Sequence, residues 1–88
     1  MRRIPLRSVV LRAVGYDPVT RTLEAEFRAG RIYRYTGVPL ELLLSLLVAR
    51  SKGRFFNIAV RDFYPYQEVT PDMARDEDGR RRALAETD

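Results

Sequence analysis

The sequence contains no cysteine and no histidine, and fifteen of its sixteen basic side chains are arginine. Disulfides, thiolate nucleophiles, Ser-His and Cys-His catalytic pairs and nearly every transition-metal site need sulfur or imidazole, so their absence excludes these chemistries. No enzymatic activity, metal or small-molecule cofactor is expected. Long apolar runs are missing as well. The leucine-rich stretch at 40–48 is far too short to cross a bilayer. The N-terminal "MRRIPLRSVVLRAV" is interrupted by Pro5, Arg7 and Arg12, which leaves no apolar core of a secretion signal. The expectation is a cytoplasmic protein with no membrane partner.

An 88-residue chain that is 45% hydrophobic and 32% charged suits one small domain with a single modest core. Its formal net charge is +4, unevenly spread. Residues 1–69 hold twelve basic and six acidic groups, a net +6, whereas 70–88 hold four and six, a net −2. The basic part is thus the part expected to fold. Guanidinium groups match phosphate geometry, so an anionic partner is favoured. The charged, apolar-poor "TPDMARDEDGRRRALAETD" reads as a disordered tail at 70–88, residues 1–7 as an N-terminal extension, and 8–69 as the domain. "DEDG" resembles a calcium loop in composition only, because the further ligands are missing.

Within the domain, "SVVLRAVGY" is β-branched and apolar and runs into an Asp-Pro turn starter. "RTLEAEFRA" alternates, with Leu23, Ala25 and Phe27 on one side and Glu24 and Glu26 on the other. Ala29 and Gly30 turn the chain into "RIYRYT". Three antiparallel strands in a meander are predicted. At "VPLELLLSLLVAR" the period becomes helical behind Pro39, and the apolar arc widens to roughly 260°, well beyond that of an ordinary amphipathic helix. Such a helix needs cover on more than one side, from the domain itself or from a partner subunit. "SKGRFFNIAVRDF" is read as a second helix capped by Ser51, with Arg54, Asn57 and Arg61 sharing a side, although a strand through Phe56, Ile58 and Val60 also fits. "YPYQEV" is predicted to return along the sheet edge.

Three pieces in this order, "SVVLRAVGYD", "LEAEFRAGRIYRYTGVP" and "SKGRFFNIAVRDFYPY", resemble the KTSC domain, found at the C-terminus of some lysyl-tRNA synthetases and as small separate bacterial proteins. The family's Tyr-x-Tyr falls on Tyr33 and Tyr35 and its Val-Pro on Val38 and Pro39. Its Ser-x-Gly, Phe-Asn and following Arg and Tyr fall on Ser51, Gly53, Phe56, Asn57, Arg61 and Tyr64. The resemblance spans about residues 8–69 and implies RNA binding, a function suggested by the synthetase fusion. No synthetase body accompanies the domain in this sequence.

The expected architecture is α+β: a three-stranded antiparallel meander, two helices packed on one face, and a short final extended strand. The expected function is a non-catalytic binding module for RNA. Tyr33 and Tyr35 would stack on bases, Arg31, Arg34, Lys52, Arg54 and Arg61 would contact phosphates with Arg12 in support, and Asn57 would join Arg61 on the ligand. The alternative is a homodimerising or protein-interaction module using Leu42 and Leu46 of the leucine-rich segment. Ser51, Gly53 and Asn57 also have structural readings, as a helix cap, a loop glycine and a loop-satisfying amide. Glu24 and Glu26 are expected as solvated partners of arginine.

Whether the tyrosines are platform or core depends on one turn. A two-residue turn at Ala29 and Gly30 sets Phe27 opposite Ile32 and puts the tyrosines with Glu24 and Glu26. A three-residue loop with Gly30 in a left-handed bulge sets Phe27 opposite Arg31 and puts them with Leu23, Ala25 and Phe27.

Overall fold

A computed structural model describes residues 1–70; apart from Thr70, the segment expected to be a disordered tail lies outside the described residues. The chain runs β1 (Arg3–Pro5), β2 (Leu11–Asp17), β3 (Thr22–Phe27), β4 (Ile32–Tyr35), α1 (Leu40–Val48), α2 (Lys52–Phe56), a π-helical turn (Asn57–Arg61) and β5 (Tyr66–Val69). All five strands form one antiparallel sheet in the order β1-β2-β3-β4-β5. The α+β class, the helical reading of the segment after Ser51 and the final edge strand all agree with expectation. The strand count does not. Four strands precede the helices, because part of the stretch set aside as an extension pairs with β2, Arg3 opposite Gly15 and Pro5 opposite Ala13. Three residues containing a proline carry no alternation to detect, and only an edge position tolerates them.

The β3–β4 hairpin adopts the three-residue loop. The Phe27 amide donates to the Arg31 carbonyl at 2.9 Å, the Gly30 amide donates to the Phe27 carbonyl at 2.9 Å, and Gly30 has a φ of 103°. Leu23 therefore pairs with Tyr35 and Ala25 with Tyr33, so both tyrosines lie on the apolar side of the sheet. On this side α1, α2 and the π-helical turn cover Leu11, Val14, Leu23, Ala25 and Tyr35 with Leu43, Leu46, Phe56 and Val60, all buried. Phe56 is 1% exposed and meets the rings of Phe27 and Tyr35 edge to face, with centroids 5.5 and 5.2 Å apart. The entry to α1 is pinned by the Tyr16 hydroxyl, which donates to the Val38 carbonyl at 2.6 Å.

On the opposite side of the sheet an ion-pair row replaces a second apolar layer. Glu24 is 2% exposed, not solvated as the sequence suggests. Its carboxylate accepts from Arg3 Nε at 2.6 Å and from Arg34 Nε at 2.8 Å, while Arg3 also reaches Glu26 at 2.7 Å. Gly15 lies between Arg3 and Glu24 in the row of paired residues. A Cβ there would stand 3.0 Å from the Arg2 carbonyl oxygen and from Met1 Cγ, so glycine lets the N-terminal segment close over the carboxylate. Two guanidinium partners make a desolvated carboxylate tolerable; losing one leaves a buried, unbalanced charge.

Two predictions follow from this packing. A Cβ at Gly30 would meet nothing within 4 Å, so Gly30→Ala carries only the conformational cost of a positive φ, about 1 to 2 kcal/mol. It is expected to lower the urea midpoint with an unchanged m-value. Burial raises the Tyr35 hydroxyl above its ordinary value of 10.0, with Arg61 opposing part of the rise. In the unfolded chain that phenol ionises first, so its contribution is complete below pH 10.0 and is lost as pH rises through the folded value. Urea midpoints above pH 10 are expected to fall more steeply for the native sequence than for Tyr35→Phe.

Candidate functional site

A cleft of about 490 Å³ opens where the β3–β4 hairpin, β5 and the π-helical turn meet. Its apolar surface comes from Phe27, Tyr33, Tyr35 and Tyr66, together with Val10. Tyr35 and Tyr66 are paired across β4 and β5, and Tyr33 pairs with Ala25 on β3, so strand register alone aims the three tyrosines to one side. The rings support one another: Tyr33 lies 5.7 Å from Phe27 and 5.6 Å from Tyr66, both edge to face, and Tyr66 lies 5.7 Å from Tyr35. With the two contacts of Phe56 these pairs close a loop of five aromatic rings. Edge-to-face pairs contribute about 0.5 to 1.5 kcal/mol each beyond their buried area, which holds the ring faces in place.

Burial grades across this loop. Tyr35 is buried, Tyr33 half-buried, and Tyr66 is 62% exposed at the sheet edge. Thus Tyr35 is core, as one reading of the sequence has it, while Tyr33 combines core packing with a surface in the cleft.

The polar residues of the cleft are Arg31, Asn57, Arg61 and Asp62. Arg31 donates to the Tyr33 hydroxyl at 3.4 Å, and this bond together with the Glu68 carboxylate favours its charged form still further. Asn57 and Arg61 are exposed at the two ends of the π-helical turn, and the Asn57 side chain makes no hydrogen bond among the described residues. Stacking surfaces, a side-chain amide and two guanidinium groups together suit a flat polar ring attached to an anionic group.

The structure divides the residues singled out in the sequence. Tyr33, Tyr35, Arg31, Asn57 and Arg61 share the cleft, whereas Arg34 projects from the opposite side of the sheet onto Glu24. Arg12 sits at a β-bulge and faces Glu26 at 3.7 Å. Lys52 and Arg54 line a separate, neighbouring cleft. Ser51 does cap α2, accepting from the Arg54 amide at 3.4 Å. Gly53 lies within α2 and not in a loop. A Cβ there would come within 2.9 Å of Val10 Cγ2, so glycine allows α2 to rest against the segment before β2. Phe27 enters the cleft from the apolar face expected of it, whereas Tyr66, Asp62 and Val10 are cleft residues that the sequence does not single out; the alternation of "YPYQEV" beside the Tyr-x-Tyr strand is the available signal for Tyr66.

Leu46 is fully buried and Leu42 half-buried against the core, so the leucines chosen for a partner interface are mainly occupied inside the domain. The apolar residues that α1 does expose are Leu40, Leu44 and Val48. No helix among the described residues is long and apolar enough to cross a membrane, and no group of three or more acidic residues could hold a metal ion there.

Comparison with known proteins places these features in a family. The family model described as the KTSC domain matches residues 7–66. An uncharacterized protein of Stutzerimonas stutzeri is 51% identical over 57 residues, covering 65% of this chain and 80% of that protein. A lysine–tRNA ligase of a Nostoc species is 37% identical over 60 residues, which are 68% of this chain and 11% of the ligase. The crystal structure of a KTSC domain protein from Yersinia pestis superposes with a TM-score of 0.75 at 36% identity, over 78% of this chain and 97% of that one. The motif carriers Tyr33, Tyr35, Phe56, Asn57 and Arg61 fall inside the matched segment, and the chain belongs to the KTSC domain family.

Proposed function

We propose that this domain is a non-catalytic module that binds single-stranded RNA, with one base seated in the aromatic cleft. The observation that carries the reading is the meeting of Tyr33 and Tyr66 with Asn57, Arg31 and Arg61 around one cleft. Unpaired bases are recognised by stacking on aromatic rings and by hydrogen bonds to their edges, and phosphates by guanidinium groups. Tyr66 and Tyr33 supply the stacking surface, Asn57 the donor and acceptor for a base edge, and Arg31 and Arg61 the charge. The relatives named as lysine–tRNA ligases, proteins that act on an RNA, support the choice of nucleic acid. The two close carboxylates, Glu24 and Glu26, are tied to arginines on the other side of the sheet.

Stacking contributes about 1 to 3 kcal/mol per base. Tyr66→Ala removes a mostly exposed ring and is expected to weaken binding of a short oligouridylate about tenfold or more, measured by fluorescence anisotropy at low salt and at a temperature well below the thermal midpoint, which the lost contacts with Tyr33 and Tyr35 lower. Asn57→Ala is expected to reduce discrimination among bases more than affinity for any one of them. Absence of binding to every single-stranded RNA at low salt would refute the reading. Equal affinity for RNA and the matching DNA would reduce it to a module for single strands in general.

A second reading rests on the exposed stripe of Leu40, Leu44 and Val48, spaced one helical turn apart on α1. A homodimer through this stripe is expected to show a dimeric mass by light scattering at micromolar concentration, and Leu44→Lys a monomer. A native monomer at every concentration removes this reading.

A further inference from the structure

Beside the aromatic cleft, across Val10, lies a second cleft of about 500 Å³. Arg7, Arg50, Lys52 and Arg54 line it, and no carboxylate does. Val10 borders both clefts, so the two form adjoining stretches of one surface. We propose that this basic cleft is a phosphate-binding track, which carries the backbone of a single-stranded nucleic acid after one of its bases has entered the aromatic cleft. The proposal rests on the nucleic-acid reading given above and extends it from a single base to a path with a direction.

Three observations carry it. The first is how the positive charges are spent. Arg3, Arg12 and Arg34 are ion-paired with Glu24 or Glu26 on the far side of the sheet. The four cations of the basic cleft have no carboxylate partner among the described residues, so their field is directed to solvent.

The second is rigidity. The loop that holds Arg7 and Val10 is tied to the end of β3: the exposed Arg28 guanidinium donates to the carbonyls of Ser8 and Leu6, and Ser8 Oγ accepts from the amides of Val10 and Leu11 at 3.1 and 3.2 Å. Opposite, Lys52 Nζ donates to the Ala49 carbonyl at 2.9 Å, which uses one of its three donors and fixes the ammonium at the rim. A cleft whose walls are already ordered loses little entropy on binding.

The third is the contact between the walls. Gly53 lets Val10, which borders both clefts, pack closely against α2. A chain leaving the aromatic cleft past Val10 meets Arg54 and Lys52 on one side and Arg7 on the other. Regularly spaced phosphates suit such a row of cations; an acidic peptide offers charge without the adjoining flat rings.

The test compares oligouridylates of two lengths on the full chain. Binding of a dinucleotide is followed by NMR shifts and that of a decanucleotide by fluorescence anisotropy over a salt series. The proteins are the native chain, the triple variant Arg7→Gln, Arg50→Gln, Arg54→Gln, and Tyr66→Ala. All three substituted arginines are exposed, and circular dichroism is the check that the variants fold. In the triple variant the dinucleotide is expected to bind within twofold of native. The decanucleotide is expected to lose its advantage in affinity, and its log–log salt slope to become shallower by about 2, near 0.7 per lost phosphate contact on a single strand. An unchanged slope, or an equal loss for both lengths, overturns the track. Competition by polyglutamate as effective as by polyuridylate overturns it in favour of an acidic peptide. Loss of decanucleotide binding in the triple variant but not in Tyr66→Ala refutes the base seat and with it the path between the clefts, whereas loss in Tyr66→Ala but not in the triple variant refutes the track alone, so the two readings fail separately.

Discussion

The register of the β3–β4 hairpin is the constraint on which the remaining structure depends. Gly30 at positive φ adds a third residue to the loop, and that residue decides which side of the sheet receives Tyr33 and Tyr35. With the tyrosines beside Phe27, the helices can place Phe56 among them and β5 can add Tyr66, which closes the loop of five rings. The same register leaves Glu24 and Glu26 on the other side, where only arginines can balance them. Core, cleft and ion-pair row are three consequences of one turn.

The arginines are sorted by the same geometry. In the sequence they form one basic population, and net charge gives no means of separating its members. In the fold, those on the far side of the sheet compensate carboxylates, and Glu24 is desolvated enough to require two of them. In the aromatic cleft Arg31 and Arg61 stand with Asp62, and Glu68 acts on Arg31, whereas no carboxylate lines the second cleft. A charge already paired in a row of ions adds little to the field outside the molecule, so the uncompensated positive charge gathers at the cations around Val10.

Much of this was legible in the sequence. Alternation in "TLEAEF" marks a half-buried strand, the leucines behind Pro39 mark a helix, and the spaced motif pieces identify the family. Other features were not. β1 is too short to show a period, and its place in the sheet follows from Arg3 reaching over Gly15 to Glu24. The π-helical turn hides behind an ordinary helical pattern. Arg54, Asn57 and Arg61 share a side by arithmetic, yet Arg54 joins one cleft while Asn57 and Arg61 join the other. The wide apolar arc of α1 suggested a partner interface at Leu42 and Leu46, but the domain itself supplies most of their cover.

By itself the sequence determined the α+β class, the absence of thiol and imidazole chemistry, the family, and the set of aromatic and cationic residues available for binding. These follow from composition and from periods that hold within a single element. Only the tertiary structure decided which of those residues stand together. A change of one residue in a turn inverts every side chain of the strand beyond it, and long-range pairing selects between the two outcomes through the burial of Phe56 and the neutralisation of Glu24.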